Sequence, residues 1–157
     1  MSAPPATEAG LRLSPDERDP VALLARAFAS VVPDRAETYR ELAEAALAGE
    51  VPERLVPALE RVCELSLATG RARELGRAEA ERALAAVLRR TPRGAELARR
   101  VEELNRALSA LAGRRLRSVR ASERLPGRYL LRLEAEGATV TLALGPEGIS
   151  VETLEAS

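Results

Sequence analysis

The sequence predicts an α+β fold, in which about five helices are followed by a four-stranded antiparallel β-meander packed on the last helix. Two observations support this fold class. Up to residue 113, apolar residues recur three or four positions apart, which is the spacing of a helix that buries one side. From residue 115 onward, apolar and polar residues alternate, which is the period of a strand with one buried face.

Prolines, glycines and capping residues mark the expected helix ends. The first helix begins at the capping box Ser14–Glu17 or at Asp19–Pro20, and the third at Pro52 or Pro57. Asp34 and Thr91 are good caps for the second and fifth helices. Three glycines are the expected stops of the second, third and fifth helices: Gly49, Gly70 and Gly113.

The fifth helix carries a regular apolar stripe, with the spacing 4, 3, 4, 3. This stripe would also suit a partner helix, but it lasts only about two heptads. Its flanking positions are mostly Ala and Asn rather than opposed charges. We therefore interpret it as part of an intramolecular core. Its members are Leu97, Val101, Leu104, Leu108 and Leu111.

The last three strands agree on one register. A two-residue turn at Glu136–Gly137 pairs Ala135 with Ala138, and the loop "GPEG" pairs Leu144 with Ile149. The predicted buried face then holds Tyr129, Leu131, Leu133, Val140, Leu142, Leu144 and Val151. The opposite face holds Thr139, Thr141, Ser150 and Glu152 and should be wet.

The first strand, "RLRSVRASE", alternates poorly. A two- or four-residue turn before the next strand would bury Arg120 and Arg124, whereas an odd-length loop or a bulge would turn Val119 and Ala121 inward. We favour the second arrangement, because burying an unpaired guanidinium costs several kcal/mol.

Charge is unevenly distributed along a chain that is neutral overall. Residues 88–132 contain 13 Arg and 4 acidic residues, and residues 133–157 contain 5 acidic residues and no Arg. The basic strip at the first strand either guards a sheet edge or binds an acidic partner or another anion, and both roles are compatible. The candidate partner-binding residues are Arg114, Arg115, Arg117, Arg120, Arg124 and Arg128.

Residue types for most catalytic chemistry are scarce. The chain has no histidine, so the commonest general base and metal ligand are missing, and it has one cysteine. Cys63 lies on an apolar helix face, where it is expected to be a small core residue. No glycine-rich phosphate-binding fingerprint is present. We therefore expect no enzyme activity and no cofactor or metal.

The chain is expected to comprise a disordered tail over 1–12, a helical region over 13–113 and a β-meander region over 114–157 that forms one compact unit with the helices. The first ten residues lack the features of a signal peptide, and no apolar run reaches the roughly 20 residues of a membrane helix. These features predict a cytoplasmic protein without membrane attachment.

The most favoured function is a non-catalytic protein–protein interaction module, such as an adaptor, an assembly factor or a small subunit of a larger cytoplasmic complex. Its partner would be another protein with an acidic surface, or a second copy. One alternative is a nucleic-acid-binding protein that uses the basic segment 88–132. A second alternative is an enzyme without histidine chemistry.

Overall fold

A computed structural model of the chain describes residues 10–157. It contains five helices followed by a four-stranded antiparallel sheet, which confirms the predicted α+β fold. Contacts divide the chain into two compact units, of which the first ends at Ala95 and the second is Glu96–Ser157. The predicted division into a helical region and a meander that form one compact unit stays a prediction.

The first unit is built from four helices and two very short strands. The helices are α1 (Pro15–Val31), α2 (Ala36–Ala48), α3 (Val56–Ala68) and α4 (Arg71–Arg89). Single 3-10 turns, Pro33–Arg35 and Glu53–Leu55, precede α2 and α3. The strands β1 (Leu11–Arg12) and β2 (Glu50–Val51) pair antiparallel.

The end of the predicted disordered tail is instead ordered. Leu11 pairs with Val51, and the carbonyl of Arg12 accepts a hydrogen bond from the Arg90 guanidinium at 2.7 Å. These contacts come from residues distant in the chain, so the Ala- and Pro-rich composition gave no sign of them. Residues 1–9 of the predicted tail lie outside the described residues.

The structure settles both ambiguous helix starts. The backbone N–H of Ser14 donates to the carboxylate of Glu17 at 2.9 Å, so α1 begins at the capping box and Pro20 lies within the helix. In α3, Pro57 occupies the first turn, where its missing N–H costs no helical hydrogen bond. Gly49 ends α2 in the left-handed conformation, as predicted, with φ of 90°.

Leucine, valine and alanine side chains from all four helices form the core of the first unit. Leu24, Leu42, Leu59 and Leu84 are fully buried. Cys63 is buried among them, which confirms its predicted place on a core face. Among residues 10–157, no helix combines the length and apolar character needed to cross a membrane.

The second unit contains most of α5 (Pro92–Ser109) and the sheet. Its strands are β3 (Leu116–Leu125), β4 (Arg128–Ala135), β5 (Ala138–Gly145) and β6 (Gly148–Ala156), in the order β3-β4-β5-β6. Ala135 pairs with Ala138 and Leu144 with Ile149, so the predicted register of the last three strands is confirmed. Val140 and Leu142 are buried with Ala107 of α5.

Candidate protein-interaction surface

Two irregularities fix the orientation of the edge strand β3. The register shifts between Glu123 and Leu125, and again between Leu116 and Ser118. Between these bulges Val119 pairs with Leu133. Directly opposed residues of antiparallel strands share a face, so Val119 lies on the α5 side of the sheet. The favoured alternative, in which a bulge turns Val119 and Ala121 inward, is confirmed.

Residues of β3 that face the α5 side of the sheet are nevertheless exposed. Val119 is 56% exposed and Leu116 is 52% exposed, although their partners Leu133 and Ala135 are half-buried and buried. Helix α5 therefore covers the centre of the sheet and leaves the β3 side of the same face open. We call this open area, formed by Leu116 and Val119 with Ala121, the β3 flank.

The outer strand β6 leaves apolar side chains open as well. Ile149 and Leu154 are each 47% exposed, and Val151 is half-buried. Tyr129 pairs with Leu144 as the alternation predicts, yet it is 47% exposed. The prediction that Tyr129 is buried was therefore wrong. The cluster of side chains packed on α5 does not include Tyr129.

Helix α5 uses only part of its apolar stripe on the sheet. Leu104, Leu108 and Leu111 pack against the sheet cluster. Leu97 and Val101, which lie two turns and one turn before Leu104, are exposed. The prediction that all five stripe residues are core was wrong for these two, because the sheet side chains that contact the helix reach no further than Leu104.

Most of the candidate arginines are bound by groups of the second unit. Arg114 donates to the carbonyl of Glu136 at 2.9 Å. Arg117 lies 3.9 Å from the Glu136 carboxylate, Arg124 lies 2.9 Å from Glu152, and Arg128 lies 2.6 Å from Glu147. Carboxylates of residues 133–157 therefore form ion pairs with three of the six candidate arginines.

Two of the six candidate arginines, Arg115 and Arg120, have no such partner among the described residues. Within residues 10–157, neither Arg115 nor Arg120 forms an ion pair. Arg120 stands directly opposite Arg132 in the sheet, and Arg132 itself binds Glu134 at 2.7 Å. Like charges opposed across two strands repel, which favours a carboxylate from outside beside Arg120.

Arg124 and Arg128 also line a cavity of about 520 Å³ at one end of the sheet. The other four candidate arginines do not line it. Its charged residues, within the part of the chain that the structure describes, are three arginines and three glutamates, so their formal charges cancel. This lining therefore has no excess of positive charge that would favour an anion. The six residues are Arg100, Glu103, Arg124, Arg128, Glu147 and Glu152.

Local hydrogen bonding explains the acidity of Glu147. Its own backbone N–H and the Arg128 guanidinium both donate to the carboxylate and lower the pKa of Glu147. Both side chains are largely exposed, so the two residues form a surface ion pair.

Potential nucleophiles and metal ligands form no reactive centre in the described part of the chain. Burial raises the pKa of the Cys63 thiol to about 12, with smaller contributions from nearby glutamates, so the thiol stays protonated and is a poor nucleophile. No group of three or more potential ligands that could hold a metal ion occurs within residues 10–157.

Comparison of this chain with protein families, with curated proteins and with solved structures finds no match. The function is therefore argued from the two units themselves.

Proposed function

We propose that this chain is a non-catalytic protein–protein interaction module, an adaptor or small subunit, that docks a partner on the β3 flank. The observation that carries the proposal is the exposure of Leu116 and Val119 on the face of the sheet that α5 otherwise covers. A large apolar side chain exposed singly is ordinary, but adjacent ones on an incompletely covered face are typical of an interaction surface.

The charges beside the β3 flank favour a partner that carries carboxylate groups. Arg115 directly precedes β3 and Arg120 lies within it, and neither forms an ion pair among the described residues. Arginine is enriched at protein interfaces, where its planar guanidinium binds carboxylates in two-point geometry. A partner with an apolar centre and an acidic rim would satisfy both the open side chains and these two cations.

Nucleic-acid binding through residues 88–132 stays a prediction, and the ion pairs weigh against it. Arg93 and Arg100 bind Glu64 and Glu96, and Arg124 binds Glu152. A phosphate backbone would have to displace these carboxylates, which reduces the charge available for counterion release. An enzyme without histidine chemistry also stays a prediction, and none of the described clusters supports it.

The test compares capture of partners from the source cell by three full-length proteins. Val119→Ser combined with Leu116→Ser removes the apolar flank, and Arg120→Glu reverses a cation on the opposite face of β3. Val31→Ser, at a 65% exposed position of the first unit, is the matched control. We expect a shared partner to be lost with the flank variant, weakened by Arg120→Glu, and kept by the control.

A binding curve with the captured partner then measures the effect. Removing two apolar anchors should weaken binding by at least about tenfold, and Arg120→Glu should act mainly on a salt-dependent on-rate. Equal capture by all three proteins would rule out the β3 flank as the docking site. Labelled DNA and RNA in the same assay test the nucleic-acid alternative.

A further inference from the structure

A second open cavity lies wholly within the first unit. Its volume is about 680 Å³, which is within the range of small-molecule sites. It lies among the end of α1, the two 3-10 turns, the first half of α2 and α3. Its apolar lining is Phe28, Val32, Tyr39, Pro57, Ala58 and Leu65, and its polar lining is Thr38 and three arginines.

Two aromatic rings form a rigid apolar wall of this cavity. Phe28 and Tyr39 meet edge to face, with ring centres 5.4 Å apart. Tyr39 is only 3% exposed, so its ring is held by the core while one part borders the cavity. An acyl chain or a small aromatic group could pack on this wall without unfolding the unit.

Among the described residues, the charged lining of the cavity is entirely basic. Arg35, Arg54 and Arg61 line it, and no acidic residue within 10–157 does. Arg54 is already clamped, because both of its terminal nitrogens bind the Glu41 carboxylate. This pairing lowers the pKa of Glu41 and fixes Arg54 at the rim. The uncompensated charge of the cavity therefore comes from Arg35 and Arg61.

The glutamates close to Arg35 and Arg61 in the chain bind other arginines. Glu60 accepts the backbone N–H of Arg93 and Glu64 accepts its Nε, each at 2.8 Å. Glu37, close to Arg35 in the chain, binds Arg40 at 3.1 Å. Within residues 10–157 the side chains of Arg35 and Arg61 form no ion pair.

We propose that this cavity binds a small amphipathic anion, with its carboxylate or phosphate group held by Arg35 and Arg61 and its apolar body on Phe28, Tyr39 and Leu65. Two guanidinium groups beside an apolar wall match such a ligand in both charge and surface. This binding site is independent of the β3 flank, which belongs to the other unit.

Three probes that share an eight-carbon chain and differ in their polar group test the proposal on the full chain: octanoate, octyl phosphate and 1-octanol. Binding is followed by calorimetry and by ring resonances of the only three aromatic residues, Phe28, Tyr39 and Tyr129. We expect saturable binding of at least one anion that shifts Phe28 and Tyr39 and leaves Tyr129 unchanged. Octanol should bind at least about tenfold more weakly, because it lacks charge-assisted hydrogen bonds.

Two substitutions separate the cavity from general surface charge. Arg35→Gln with Arg61→Gln should weaken anion binding by about tenfold or more. Arg26→Gln, on an exposed part of α1 outside the cavity, is the matched control and should bind as the wild type does. Melting curves check that each variant is folded. Preference for one anion over the other identifies the head group.

The proposal is overturned by any of three results. The first is no saturable shift of Phe28 and Tyr39 at millimolar anion. The second is equal binding of octanol, which would mean an apolar groove without charge recognition. The third is unchanged affinity in the folded double variant.

Discussion

The two units bury their apolar side chains to different extents. In the first unit four helices surround one core, and Leu24, Leu42, Leu59 and Leu84 are completely covered. In the second unit one helix lies on four strands, and its best-covered leucine is Leu142, with 6% exposed. The difference follows from geometry. A helix is about 10 Å wide and strands are about 4.8 Å apart, so one helix covers roughly two strands.

This contrast shows where each unit is able to bind other molecules. The second unit has flanks that a single helix cannot cover, so the docking surface proposed for it is broad and apolar. The first unit closes its core, and the site proposed for it is a cavity bordered by the end of α1 and the two 3-10 turns. The two proposals therefore concern different kinds of ligand on different parts of the chain.

The largest expected effects compare truncations in the two cores. Leu59→Ala should lower the free energy of unfolding by about 4 kcal/mol, because four packed helices cannot close the cavity left behind. Leu142→Ala should cost about 2–3 kcal/mol, because the thin second unit can adjust around it. Urea unfolding followed by the ring resonances of Tyr39 and Tyr129 reports the two units separately.

A surface truncation provides the baseline for this comparison. Leu47→Ala, at a 40% exposed position of α2, should cost less than about 1 kcal/mol. Equal losses from Leu59→Ala and Leu142→Ala would contradict the proposed difference in packing. A small loss from Leu142→Ala would mean that the sheet face is not a core.

Cys63 provides a pH-dependent measure of burial in the first unit. Its pKa is about 12 in the folded protein and near 9.0 when unfolded, so its contribution to stability is present below pH 9 and is lost as the pH rises toward 12. At pH 10 wild type should have lost about 1.4 kcal/mol relative to Cys63→Ala. Urea unfolding of both proteins from pH 8 to 10 measures this.

Thiol labelling checks the same burial directly. At pH 8 the native thiol should react far more slowly than the thiol in urea, because access requires opening of the core. Native labelling at the unfolded rate would show that this face of α3 is open to solvent.

The smallest expected effect concerns the ion pair that joins the first and last strands of the sheet. Arg124→Glu should lower stability by less than about 1 kcal/mol, because both side chains are substantially exposed. Adding Glu152→Arg should recover that loss by restoring opposite charges. Chemical unfolding of the two variants at low and high salt measures it, and a loss of several kcal/mol would mean that the pair organises the sheet.

The register of the sheet could be predicted because several local signals agree. The turn at Glu136–Gly137 and the alternation on both sides of it allow one pairing only, and that pairing is observed. The bulge in β3 was also predictable, since the alternative would bury Arg120. The extent of burial was not, because alternation identifies a face of a strand and does not show how much a helix covers.

The candidate sites divide in the same way. The six candidate arginines are conspicuous because they are close together in the sequence, but the glutamates that bind four of them come from later strands and turns. The cavity of the first unit gave no sequence signal, because Arg35, Arg54 and Arg61 lie on three different elements. No periodicity or local motif connects residues that meet only after helices pack.

The sequence by itself determined the class of fold, the order of the elements and the side of each strand that faces the helix. These properties depend on spacing and turn residues within short segments. Only the tertiary structure decided which of those faces are covered, which arginines keep an uncompensated charge, and where a cavity remains. Those properties depend on contacts between distant segments, whose distances and shapes no local pattern specifies.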